Sequence, residues 1–191
     1  MNLGTSPITA SVAVFIGVVA SVLACGLRSS AQSPAPSACS APEYRQFDFW
    51  AGDWDAFDAA DPTKSSAHIR VDQILGGCVL EETYEGANGA RGQSFSIYDR
   101  SRGVWHQTWV TNRGTLLLIE GQMQAGAMVL TGSDRTADGK PRLVRGIWKP
   151  VQGGVRETAD TSRDNGATWT PWFDLLFRPR ARPSTVSPKA Q

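Results

Sequence analysis

The sequence has almost no net charge, which excludes proteins that recognise their partners through a charged field. Nineteen Lys and Arg stand against eighteen Asp and Glu over 191 residues, a formal charge of +1. Arg28 is the only charged residue among the first 31, so the remainder is balanced at eighteen of each sign. With no basic field to attract nucleic acid or anionic lipid, neither partner is predicted.

Residues that carry catalysis or bind metals are also scarce or poorly placed. The chain has two His and three Cys, and no His/Cys/Asp cluster has the spacing of metal ligands. P-loop, dinucleotide-binding and zinc-protease patterns are absent, and no Ser or Thr is part of a defensible nucleophile–base arrangement. We therefore assign no catalytic residue, no metal and no cofactor from the sequence.

The only long apolar run lies at residues 8–27. Ser29 and Ala31 form a small-x-small cleavage site, whereas residues 22–25 approximate a lipobox with Cys25 as the lipidated residue. Because residues 1–9 lack Lys and Arg, an uncleaved membrane anchor stays open as well. We expect residues 1–31 to be a signal peptide or lipoprotein leader of a periplasmic or cell-envelope protein, with a lipid or leader anchor as its only membrane contact.

The cysteines support export. Removing the leader leaves Cys39 and Cys78, and a pair of cysteines in an oxidising compartment is a disulfide candidate. The alternative is two buried thiols. A bridge would close a loop of about 40 residues and stabilise the fold by about 4 kcal/mol in the chain-entropy model.

Alternating residues separated by tight turns predict an all-β domain at residues 43–179, between a flexible linker at 32–42 and a disordered tail at 180–191. No gap is long enough for a crossover helix, so the strands should be antiparallel and pair in sequential order. Closing them into a barrel removes exposed edges. The ten strands are expected at 53–59, 68–75, 79–85, 93–99, 104–111, 115–123, 127–133, 142–149, 155–162 and 168–178.

A cluster of aromatic residues at 47–55 precedes these strands. Residues 42–50 should form a short helix, with Pro42 near its start and Phe47 and Trp50 three apart on one side. Gly52 should end the helix, and Trp54 should then plug one end of the barrel.

This pattern resembles the calycin group of lipocalin-like up-and-down barrels. Gly-x-Trp opens the first strand there, and an Arg from the last strand packs over that Trp; Gly52, Trp54 and Arg178 stand in these places. The resemblance implies structural roles for all three, with a cation–π contact of about 0.5–2 kcal/mol.

More closely, residues 44–178 resemble an uncharacterised family of exported bacterial barrels of unknown function. The matching segments lie at 47–54, 77–82, 98–99, 105–110 and 162–169. The likeness supports the fold and adds little about activity. The related nitrobindin barrels bind haem through a His, but with only His68 and His106 and no matching motif we do not expect haem.

Residues 162–169 match the Asp-box of sialidase-type propellers, with Asp164, Gly166 and Trp169 at its defining positions. In those folds it is a structural hairpin. Since it occurs once, and propellers need several blades, we interpret it as a turn between the last two strands.

The best candidate for a ligand-binding wall is the strand at 104–111. Alternation puts Trp105, Gln107 and Trp109 on one face and His106 on the other. The first face would offer a ligand apolar area and one amide to orient a polar group. A packed core with a hydrogen-bonded Gln is the equal alternative.

On the third strand, Glu82 shares a face with Leu80 and Tyr84. It is therefore a better candidate than Glu81 for a carboxylate that faces the barrel interior. It could meet Arg145 or Arg156 from later strands, although a surface ion pair is the commoner outcome. The candidate ligand-binding residues are Glu82, Tyr84, Trp105, Gln107, Trp109, Arg145, Trp148 and Arg156.

Three functions remain open. The first is binding of a small hydrophobic or amphipathic molecule in the barrel. The second is a structural role in the envelope with a filled barrel. The third is an isomerase- or hydrolase-type enzyme acting on a small substrate inside it, which rests on fold analogy alone.

Overall fold

The alternating pattern folds into ten antiparallel strands in the computed structural model, which describes residues 38–181. The leader with Cys25, most of the linker and residues 182–191 lie outside this range. The strands are β1 (Gly52–Asp58), β2 (Asp61–Ile74), β3 (Val79–Gly86), β4 (Arg91–Asp99), β5 (Val104–Thr111), β6 (Leu116–Gln124), β7 (Ala127–Arg135), β8 (Pro141–Val151), β9 (Gly154–Ser162) and β10 (Thr170–Pro179).

Each strand pairs with its neighbours in sequence, and β10 pairs with β1 to close the barrel. At the closing seam Phe177 is opposite Ala56, and both side chains are buried. Closure leaves no strand edge unpaired. The predicted ten-stranded, antiparallel, up-and-down barrel is confirmed.

Most strand bounds agree with the sequence prediction, but β2 begins at Asp61 and not at residue 68. Residues 61–66 are polar and mostly exposed, so their composition predicts a loop. They extend the β1–β2 hairpin beyond the core, and their pairing to β1 is irregular near Phe57. Because these residues cover no apolar face, alternation gives no signal for them.

The helix expected at 42–50 is two short 3₁₀ turns, Pro42–Arg45 and Asp48–Trp50. A third 3₁₀ turn, Leu75–Gly77, connects β2 to β3. Three residues per turn place side chains at i and i+3 directly above each other, so Phe47 and Trp50 enter the barrel together. Both are completely buried, and their rings stack with centroids 5.1 Å apart.

This aromatic plug, defined as residues 42–50, is fixed to the wall by covalent and packing contacts. Cys39 and Cys78 form the predicted disulfide. Phe47 packs edge-on against Trp105 and Trp148, with centroids 5.6 and 5.5 Å away. The plug thus closes one end of the barrel.

Within residues 38–181, no helix has the length and apolar character that crossing a membrane requires.

Candidate functional site

The barrel has two ends with different inner surfaces. The plugged end contains the connections after β2, β4, β6 and β8, and the far end contains those after β1, β3, β5, β7 and β9. Inner-face side chains near the plug, such as Leu80 and Val155, are buried. Toward the far end, inner-face residues Trp109, Leu117 and Leu175 retain accessible surface. The accessible part of the inner surface therefore lies on the far side of the plug.

Strand β5 presents Trp105, Gln107 and Trp109 inward, as predicted. Trp105 belongs to the plugged end, where its Nε1 donates to the side-chain carbonyl of Gln46 at 3.2 Å. Gln107 is buried one layer further, and its Nε2 donates to Ser96 Oγ at 3.0 Å. Only Trp109, half-buried, reaches the accessible part of the interior.

Trp109 and Tyr84 form an aromatic wall on that side. Their rings meet edge to face with centroids 5.8 Å apart. Trp109 lies flat over Gly92 of β4, where a Cβ would come within 2.3 Å of the indole. A glycine at this point therefore sets the position of the ring, because any larger residue would displace it.

Glu82 points into the barrel, as predicted, and is 6% exposed. It lies opposite Ser94 in the β3–β4 pairing, and Ser94 Oγ donates to its Oε2 at 2.7 Å. Its other oxygen, Oε1, forms no hydrogen bond within residues 38–181. Burial raises the pKa of Glu82 to about 7, although the Ser94 hydrogen bond opposes the rise.

Glu157 on β9 is a second inner carboxyl, opposite Trp148 of β8 in the strand pairing. Surrounding protein atoms desolvate it, and with the charge of Glu82 they raise its pKa well above the ordinary value. The Trp148 indole N–H opposes this rise, yet its geometry falls short of a hydrogen bond. Trp148 is 3% exposed, so a buried donor is left without a partner.

The charges of both carboxyls affect the pKa of Tyr84 in the aromatic wall. Burial raises the pKa of Tyr84, and the charges of Glu157 and Glu82 add to the effect. Arg113, in the β5–β6 turn at the far end, lowers it. The barrel interior therefore combines two acids and a phenol, and Arg113 acts on the phenol from the far end.

Neither Arg145 nor Arg156 meets Glu82 inside the barrel, and both form the cross-strand surface ion pairs that are the commoner outcome. Arg145 lies on the outer wall, where it binds Asp160 at 2.8 Å and covers the Trp169 ring at 4.1 Å. Arg156 also points outward and binds Asp174. Each Arg lies between inward neighbours on its strand, so strand alternation places both on the outer surface.

The expected contact between Arg178 and Trp54 is wrong. Arg178 is exposed, and its guanidinium lies over Phe57 at 4.8 Å on the outer wall. Trp54 faces inward and is 8% exposed, with its Nε1 donating to the Trp50 carbonyl at 3.0 Å. Its ring folds back over Gly52, where a Cβ would come within 2.6 Å, so the Gly-x-Trp pair seats the tryptophan beneath the plug.

The Asp-box residues form the turn between β9 and β10, as predicted. Asp164 accepts from the Thr168 backbone N–H at 2.9 Å, and Ser162 Oγ accepts from the Gly166 N–H at 2.8 Å. The Trp169 ring packs near Gly166. These contacts are internal to the turn and support a structural role.

Both histidines lie on the outer wall. His68 Nε2 contacts Asp53 at 2.5 Å, and His106 Nδ1 contacts Glu120 at 2.8 Å. Neither could ligate a haem inside the barrel. Between residues 38 and 181, no group of three or more His, Cys, Asp or Glu could hold a metal ion.

Five surface hollows on the described part of the chain are lined mainly by loop and outward-facing residues. Neither Glu82 nor Glu157 lines any of them.

Sequence reasoning missed Glu157, although a signal for it exists. Val155 and Ala159 are apolar, lie two residues to either side and face inward. Strand alternation therefore places Glu157 between them on the inner face, and places Arg156 outside. Ser94, which binds Glu82, carries no comparable signal because a serine is common on either face.

Comparison with known proteins does not identify this chain. No protein-family model matches it, and a search of proteins with curated descriptions gives no match. The candidate site therefore rests on its own geometry.

Proposed function

We propose that this protein binds a small, partly apolar molecule inside the barrel, between the aromatic plug and the far end. The supporting observation is a set of inner polar groups without counterions, together with one unpartnered indole N–H, in a barrel whose far side has an aromatic wall. The buried Trp148 N–H has no partner in hydrogen-bond geometry, and the inner carboxyls of Glu82 and Glu157 beside it have no counterion among the described residues. Buried polar groups are nearly always paired in native proteins, so a bound molecule would supply the missing partners.

We place this activity outside the cytoplasm. The Cys39–Cys78 bridge is typical of an oxidising compartment. The apolar run at 8–27 fits a signal peptide, with lipidation at Cys25 as the anchored form. Fractionation of cells producing the full chain, with a Cys25→Ser variant as control, distinguishes a free periplasmic protein from a lipid-anchored one.

The binding proposal is tested by native mass spectrometry of the protein purified gently from the cells that make it. We expect a population carrying one small molecule. Trp109→Ala should lower that population several-fold, because it removes the inner aromatic wall. Trp172→Ala is the matched control, since Trp172 is 50% exposed on the outside. A wild-type protein that is always empty, with no mass shift from a small-molecule library, would favour the filled structural barrel.

One observation favours catalysis as a second candidate function. The pKa of Glu82 is raised to about 7, a value at which a carboxyl can both give and accept a proton near neutrality. If Glu82 is a general acid or base, Glu82→Gln should still bind the small molecule but no longer convert it. Recovery of the molecule unchanged after incubation with wild-type protein would support binding alone.

A further inference from the structure

We propose that the bound molecule carries a basic nitrogen, which lies between Glu82 and Glu157. This inference rests on the proposed binding function and narrows it to small organic cations with an apolar part. It follows from the placement of the two carboxyls, their lack of counterions and the unpartnered indole beside them.

The two carboxyls project toward each other from opposite sides of the barrel. Strand β3 carries Glu82 and β9 carries Glu157, with β2, β1 and β10 between them on the shorter way round. Despite this separation along the wall, the charge of Glu82 acts on Glu157. A cationic group in the interior between β3 and β9 would therefore act on both carboxyls.

No protein cation neutralises this pair. Neither carboxyl forms an ion pair with a Lys, Arg or His of the described chain, whereas the outward Arg145 and Arg156 each have a carboxylate of their own. Without a counterion, desolvation raises the pKa of both carboxyls and favours their protonated forms. A cationic ligand is the partner that would allow both to ionise.

The indole of Trp148 is the independent observation that points to a ligand. Its Nε1 is buried, has no hydrogen-bond partner and faces the Glu157 carboxyl. An indole N–H can only donate, so it needs an acceptor. An ionised Glu157 would accept from Trp148 on one side and from an ammonium on the other, which would satisfy all three groups.

An organic cation fits this site better than a metal ion. Calcium is usually held by several carboxylates at once, and within residues 38–181 no group of three or more His, Cys, Asp or Glu could hold a metal ion. The adjoining Tyr84 and Trp109 rings offer apolar area and faces that attract a cation.

The test compares three probes of similar size: 2-phenylethylamine, 2-phenylethanol and phenylacetate. Binding of each to the full chain is measured by titration calorimetry at pH 8, where the amine is charged. We expect the amine to bind at least about tenfold more tightly than the alcohol, and phenylacetate to bind more weakly than either.

Glu82→Gln and Glu157→Gln keep the side-chain shape and remove the charge. Each should weaken amine binding by about tenfold or more while leaving alcohol binding within about twofold. Glu81→Gln is the matched control on β3, one residue away and outside the inner polar set, and it should leave amine binding unchanged. Circular dichroism establishes that each variant is folded.

The outcomes separate the two proposals. Equal binding of amine and alcohol, unaffected by either Glu→Gln change, overturns the cationic ligand and leaves the binding function standing. Calcium binding that depends on both carboxyls also overturns it, in favour of a metal site. If no probe binds to folded wild-type protein and no small molecule co-purifies with it from the cells, both proposals fail.

Discussion

At the scale of single residues, the Glu82 carboxyl inside the barrel is a feature that costs stability. Glu82 is 6% exposed and has one hydrogen bond to a hydroxyl but no counterion. A carboxyl with a pKa of about 7 in the fold and an ordinary value of 4.5 binds its proton more tightly when folded. Such a group destabilises the fold as it ionises, so its presence needs an explanation other than stability.

Glu82→Gln should therefore stabilise the protein in a pH-dependent way. The penalty is absent below about pH 4.5, where folded and unfolded carboxyls are both protonated, and complete above about pH 7. The free energy of unfolding of the variant should exceed that of wild type by about 3 kcal/mol at pH 8, and by much less at pH 5. Urea denaturation at both values measures this.

Glu81→Gln, on the same strand, provides the control for that experiment and should show no such pH dependence. The range stays above pH 5 because carboxyls with lowered pKa values, such as Asp164 at about 2, remain ionised there. A Glu82→Gln variant that is equally destabilised at pH 5 and pH 8 would show that the carboxyl stabilises the fold through its hydrogen bond. It would contradict the view that ionisation of Glu82 destabilises the fold.

At the scale of strands, alternation predicted the barrel well because one face of each strand is buried and the other is solvated. The same rule predicts the inward face of Glu82 and Gln107, and it could have placed Glu157 inside and Arg156 outside. The partnership between Glu82 and Ser94 could not be predicted, because strand register depends on pairing over the whole sheet. The outward Arg178 was missed because family likeness, and not the parity of β10, suggested its position.

The plug and β1 meet at Trp54. The sequence predicted a contact between Trp54 and Arg178, but the structure gives these two residues different roles. Trp54→Ala should cost about 3–5 kcal/mol of unfolding free energy, because it leaves a cavity below the plug and removes the hydrogen bond to Trp50. Arg178→Ala should cost less than about 1 kcal/mol, since it removes an exposed contact with Phe57.

Chemical denaturation of both variants, followed by tryptophan fluorescence, makes this comparison. Similar large losses for both would indicate that Arg178 supports Trp54 in solution. A small loss for Trp54→Ala would mean that Phe47 and Trp50 close the barrel without it.

At the scale of the whole molecule, the disulfide joins the segment before the plug to the start of β3. The covalent link spans 39 residues and encloses the plug, β1 and β2. Inside that loop the plug is also held by aromatic packing, with Phe47 against Trp105 and Trp148. Two kinds of constraint therefore act on one element, and they can be separated experimentally.

Replacing both Cys39 and Cys78 by Ser should lower the free energy of unfolding by about 4 kcal/mol, because the open loop gains conformational entropy mainly in the unfolded chain. The folded barrel should keep its near-ultraviolet circular dichroism, since the plug aromatics stay packed. Reduction of the wild-type bridge provides the matched measurement without a substitution. If the near-ultraviolet signal disappears while far-ultraviolet strand content remains, the plug depends on the bridge for docking, and the closed end of the barrel exists only in an oxidising compartment.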